Sequence, residues 1–157
     1  MLRLVPGREA LSAARRARAL ATVRAACPDV TDLDARWLYL VDAERALAAE
    51  EQAQLEDMLQ DGVPAPARVW IAPRLGTVSP WSSKATDIAH VCGLACVRRI
   101  ERVTAWMFGG PALPAAVGAA LADRMTESVL IDERDLARVV APAGAPLPLG
   151  TIALGAD

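Results

Sequence analysis

The densest group of chemistry-bearing side chains is the twelve-residue run Ser79-Pro80-Trp81-Ser82-Ser83-Lys84-Ala85-Thr86-Asp87-Ile88-Ala89-His90, which holds the chain's one histidine. Ser79 suits a helix N-cap, because its hydroxyl oxygen can accept from a backbone N–H three residues on. Pro80 suits the first helical position, where its missing N–H costs nothing. A helix starting there aims free N–H groups and the positive end of its dipole at Thr77, Ser82, Ser83 and Lys84, a donor set matched to an anion. Ser83, Asp87 and His90 fall at i, i+4 and i+7, one polar stripe against the apolar series Ala85, Ile88, Ala89 and Cys92. A capped helix with no ligand accounts for the same residues, since an exposed Lys84–Asp87 pair contributes little.

Two other spacings suggest chemistry and fail on context. Cys92 and Arg98 stand in a Cys-x5-Arg arrangement, the loop spacing with which a phosphatase thiolate attacks a phosphorus held by N–H groups and arginine. That loop must follow a strand and open a helix, whereas Cys92 closes a helical pattern and a strand comes next. A helix C-terminus also raises a thiol pKa where the reaction needs it lowered. His90, Cys92 and Cys96 offer three metal ligands without a Cys-x2-Cys pair or a nearby fourth, and Cys27 lies alone, so no metal site is expected. The glycine-rich phosphate loop, the nucleophile elbow and the dinucleotide fingerprint are all missing. No complete catalytic site is expected within these residues.

The elements that would position the run follow from periodicity. Met1 to Val5 reads as a strand stopped by Pro6-Gly7, Ala10 to Ala26 as a helix ended by Pro28, Ala35 to Val41 as a strand, and Leu47 to Leu59 as a helix stopped by Gly62. After the connector 63–67 the order recurs: a strand at Val69 to Ala72, the Ser-Pro-capped helix, a strand at Val97 to Phe108, a helix at Leu113 to Arg124 and a strand at Ser128 to Ile131. The expected class is α+β, with two pseudo-repeated strand-helix-strand-helix halves (1–66 and 67–133) and antiparallel or mixed sheets covered by helices. They form one domain over 1–140, and 141–157, rich in Pro, Gly and Ala, is expected to be a poorly ordered linker.

Composition narrows the classes. A chain of 157 residues can bury a core without staples. Three cysteines, an odd number, and no signal-like start point to a reducing, cytoplasmic setting. Hydrophobic residues make up 54%, but no run reaches the length of a membrane span. With 17 basic and 19 acidic side chains the net charge is -2, which offers no broad footprint for nucleic acid. The Arg15, Arg16, Arg18 and Arg24 stripe reads as a solvated helix face.

The run from Pro73 through His90, followed by Cys92-Gly93-Leu94 and Val97-Arg98-Arg99-Ile100-Glu101-Arg102, closely resembles the N-terminal, PurS-like domain of the large, single-chain phosphoribosylformylglycinamidine synthases. These are the formylglycinamide ribonucleotide amidotransferases of purine biosynthesis. Ala10-Leu11-Ser12-Ala13, the strand around Tyr39-Leu40-Val41-Asp42, and Asp123-Arg124-Met125-Thr126-Glu127 extend the likeness over about 1–135. Leu75 and Val91 depart from the family's usual proline and asparagine.

The resemblance implies a domain like a fused pair of PurS subunits. It would sit within a ligase that uses ATP and Mg to activate an amide oxygen, with ammonia supplied by a glutaminase domain. It further implies that this chain carries no catalytic residue and no cofactor of its own, and that its partners are the synthetase and glutaminase domains of the same enzyme. Thr77, Ser79, Ser82, Ser83, Lys84, Asp87 and His90 would form an anion-binding or interdomain surface beside the active site. A free-standing scaffold module, homodimeric in isolation, and a small anion-binding module are the alternatives from other classes.

Overall fold

The computed structural model describes residues 1–59 and 62–142. The strands are β1 (Leu2–Glu9), β2 (Leu33–Ala43), β3 (Val69–Pro73), β4 (Val97–Phe108) and β5 (Glu127–Leu130). The helices are α1 (Ala13–Ala26), α2 (Ala49–Leu59), α3 (Pro80–Val91), α4 (Pro114–Leu121) and α5 (Ala137–Val140), the last preceded by a 3-10 turn at Glu133–Leu136. The strands form a single sheet in the order β1-β2-β4-β3-β5, and every neighbouring pair is antiparallel.

Element order and pairing together make the fold α+β with two like halves. β2 and β4 lie side by side at the centre, with Leu38 opposite Val103. Each half places a long helix on its central strand, α1 on β2 and α3 on β4. Both helices start on a capping serine, Ser12 or Ser79, and end on a cysteine, Cys27 or Cys92.

Side-chain alternation along the strands decides which face each helix covers. Tyr39, Val41 and Ile100 join Leu55, Leu59, Ala85 and Ala89 in one cluster under α2 and α3. Leu33, Ala35, Ile71, Trp106 and Phe108 join Val23 and Val117 in a second cluster, under α1 and α4. The intervening positions, Leu40, Trp70, Val103 and Ala105, point to the opposite face and meet Leu136 and Val139. The helix layer is thus two pairs over one face, while the short C-terminal segment covers part of the other.

Several boundaries differ from expectation for identifiable reasons. β1 runs on through Pro6-Gly7 to Glu9, with a register shift between Pro6 and Glu9. It is an edge strand, where a proline forfeits no ladder bond that the sheet needs. α1 starts three residues later than the apolar pattern suggested, because Ser12 caps it. α4 stops at Leu121, and Asp123 and Glu127 instead form a side-chain-bonded turn, with the Asp123 N–H donating to Glu127 (2.8 Å) and the Met125 N–H to Asp123 (2.8 Å). The segment from Glu133 to Val140 was not read from sequence as structured. Gly62, expected as a helix stop, donates its N–H to the Pro6 carbonyl at 2.8 Å. A Cβ there would lie 2.1 Å from the Gly7 carbonyl oxygen, so close backbone approach excludes any larger residue. Of the expected linker, 143–157 lies outside the described residues.

Candidate functional site

α3 begins as its residue types dictate. The Ser79 hydroxyl oxygen accepts from the Ser82 N–H at 3.0 Å, and Pro80 occupies the first turn. The same hydroxyl donates to Glu101 Oε1 at 2.7 Å, while the Ser79 N–H donates to Glu101 Oε2 at 3.3 Å. Glu101 sits on β4 with no exposed surface, and it also accepts from Arg99 Nη2 at 2.9 Å and from the Arg102 N–H at 3.0 Å. The negative charge expected at this helix start is therefore supplied within the chain, by a buried carboxylate that the sequence reading did not single out.

The remaining motif residues divide into inward and outward groups. Ser82 is buried and donates to the Ile100 carbonyl at 2.6 Å. Thr86, four residues on, donates to the Ser82 carbonyl at 2.8 Å and accepts from the Ile100 N–H at 3.0 Å. Thr77 donates its hydroxyl to the Arg74 carbonyl at 2.6 Å, and its own carbonyl accepts from Arg99 at 2.7 Å. His90 Nε2 lies 2.6 Å from the Val97 carbonyl oxygen and fastens the end of α3 to the start of β4. Ser83, Lys84 and Asp87 are exposed on the outer surface of α3.

The apolar series read from sequence is corrected here. Ser82, Ala85 and Ala89 face the core, whereas Ile88 is 53% exposed and Cys92 is also exposed. The buried stripe is rotated because the Ser82 hydroxyl finds a β4 carbonyl and can go inside. Ser82→Ala is expected to cost about 1–3 kcal/mol, leaving the Ile100 carbonyl without its partner, whereas Ser83→Ala should stay within about 0.5 kcal/mol. Urea unfolding followed by circular dichroism measures both.

α3 ends in a Schellman turn. The Leu94 N–H reaches the Ala89 carbonyl at 2.9 Å, and the Gly93 N–H reaches His90 at 3.0 Å. Gly93 takes φ +88°, which side-chain-bearing residues rarely adopt. Cys92 is therefore at a helix C-terminus, and Arg98 is bound to Asp42 through Nε at 2.9 Å and Nη2 at 2.7 Å. That hydrogen bonding, ahead of any other cause, holds the Asp42 carboxyl below its ordinary range. The Cys-x5-Arg pair is thus split between two structural tasks. Among the described residues, no three His, Cys, Asp or Glu side chains gather as a metal ion would require. Cys96 is buried and directs its thiol toward Glu51 at 3.8 Å. Of the arginine stripe on α1, Arg24 donates to the Val30 and Thr31 carbonyls and Arg16 pairs with Asp34 at 3.1 Å, so this stripe is partly a tie to the next loop and to β2.

Beside the start of α3, between the two helix pairs, a cleft of about 520 Å³ opens over the centre of the sheet. Trp37, Arg102 and Thr104 form its floor, with Trp81 and Pro80 on one side and Met125 to Glu127 on the other. The Arg102 guanidinium lies 4.0 Å over the Trp37 ring and 4.8 Å from Trp81, which stacks on Tyr39 at 5.7 Å. Sequence reasoning missed this cleft because its floor is assembled from strands far apart in the chain.

A family model described as formylglycinamide ribonucleotide amidotransferase N-terminal matches residues 36–140. The chain belongs to that family. The match covers the motif helix, the central strands and the C-terminal segment over the second sheet face. Membership of the amidotransferase family places the chain in an enzyme of purine biosynthesis, with the other domains of that enzyme as its class of partner. No helix among the described residues is long and apolar enough to cross a membrane.

Proposed function

We propose that the chain is the non-catalytic N-terminal part of a glutamine-dependent, ATP- and Mg-requiring cytoplasmic ligase that turns formylglycinamide ribonucleotide into the amidine. Its share of the work is to organise the contact between synthetase and glutaminase domains and the ammonia route between them. The cofactors belong to the other domains. The observation that carries this reading is the outer surface of α3. Ser83, Lys84 and Asp87 have no side-chain hydrogen bond or ion pair among the described residues and stand beside Ile88 and the 88% exposed Val91, while the Ser79 and Ser82 hydroxyls are turned inward. Apolar residues exposed among charges suit a surface that another domain covers. With Glu101 at the helix start, an interdomain contact is better supported than an external anion at the same N–H groups.

The test mixes this chain with the remainder of the enzyme and measures glutamine-dependent amidine formation. Lys84→Ala and Asp87→Ala should each lower the rate about three- to tenfold, the loss expected when a contributing interface side chain is truncated. Both residues are exposed, so folding stability should stay within about 0.5 kcal/mol. Unchanged activity in both variants would remove this surface from the function.

A further inference from the structure

We propose that the cleft over the sheet centre is a binding site for a small oxyanion ligand, a carboxylate or phosphate ester on an apolar body, which takes its charged group on Arg102 and Thr104. This goes beyond the interdomain role of α3 and does not depend on it. Arg102 is half-buried, and its side chain makes no hydrogen bond or ion pair among the described residues. Its guanidinium carbon instead lies 4.0 Å from the Trp37 ring centroid and 4.8 Å from that of Trp81, cation–π contacts that hold the group in the cleft and leave its N–H donors free to pair with an oxyanion. Two positions along the same strand face, the Thr104 hydroxyl also lines the floor and has no hydrogen-bond partner among the described residues.

The nearest carboxylate does not serve as Arg102's partner. Glu101 also borders the cleft, but its oxygens are taken by Ser79, Arg99 and the Arg102 N–H, and Glu127 on the far wall accepts from the Asp123 N–H. Burial has the largest effect on the guanidinium and pushes its pKa down, the Glu101 carboxylate favours the cation, and Arg8 opposes it. A desolvated cation with unused donors, in a cleft of about 520 Å³, gains most from an anion that brings its own charge into the site. Ile71, Pro80 and Met125 give the walls an apolar surface, and the volume suits a molecule of metabolite size.

Nitrogen–proton correlation spectra of the full chain test this, because the four tryptophans give separate indole signals. Trp37 and Trp81 border the cleft floor, while Trp70 and Trp106 lie in other clusters and serve as internal controls. Titration with phenyl phosphate and with benzoate should shift the Trp37 and Trp81 signals saturably at concentrations up to about 50 mM, and benzyl alcohol should not. The tighter of the two anions identifies the charged group preferred. Arg102→Met should weaken binding at least about tenfold, and Thr104→Val about threefold; the second variant keeps the test open if the first does not fold. The absence of saturation by either anion, equal shifts with benzyl alcohol, or undiminished affinity in both variants would each overturn the proposal.

Discussion

Replacing Glu101 by alanine should remove about 3–5 kcal/mol of folding stability, the loss seen when one partner of a buried, hydrogen-bonded charge pair is deleted. The carboxylate is fully buried and accepts four hydrogen bonds, from the Ser79 hydroxyl, the Ser79 N–H, Arg99 and the Arg102 N–H. Its removal leaves a guanidinium whose side chain is only 14% exposed without its counter-charge, holding the Thr77 carbonyl alone, with an Nε that has no partner among the described residues. It also frees the Ser79 hydroxyl that caps α3, so the damage should concentrate at the start of the motif helix. Glu101→Gln should fall between wild type and alanine, because an amide keeps the volume and one acceptor but turns a donor toward other donors. For a domain of this size the alanine variant should melt roughly 6–20 °C lower. A shift of a degree or two would mean that Ser79 and Arg99 are satisfied without it.

Leu136→Ala should cost about 2–5 kcal/mol, the range for a leucine truncated inside a packed core. Leu136 is 1% exposed and packs with Leu40, Trp70 and Val103 on the sheet face opposite the long helices. If the segment from Glu133 to Val140 seals that face, the loss should register as a lower urea midpoint at nearly constant slope, because the folding unit is unchanged and only its stability falls. Ile131→Ala, five residues earlier at a position 56% exposed, should change stability by no more than about 0.5 kcal/mol. Equal effects for the two would mean that the C-terminal segment packs too loosely to matter.

These two positions mark where the sequence could be read and where it could not. Val97 to Phe108 was legible from end to end, because six of its twelve residues are β-branched or aromatic and glycines stand just beyond each end. The start of α3 was equally legible from Ser79-Pro80, whose capping geometry is local. Glu101 was not, because in Arg-Arg-Ile-Glu-Arg a glutamate reads as one more solvated charge. Its burial depends on Ser79, which is distant in sequence and adjacent only after β3 and β4 pair. The 3-10 turn and α5 are four residues each, too short to carry a period, and the hydrophobic signal they contain makes sense only against Leu40 and Trp70. The Ile88 misplacement has the same origin: hydropathy places isoleucine inside and serine outside, and the Ser82–Ile100 hydrogen bond reverses both. Of the candidate site, the helix and its residues were legible, while the Trp37–Arg102–Trp81 stack was not, since it joins β2, β4 and α3 across the middle of the sheet.

The most direct test of the α3 surface is amide hydrogen exchange of the chain alone and in the presence of the remainder of the amidotransferase. The account predicts slowed exchange in peptides covering 74–90, with the edge strand 2–9 and the segment 133–140 unchanged. Protection confined to those two segments, with 74–90 exchanging as it does in the isolated chain, would contradict it and move the partner to the opposite face of the sheet.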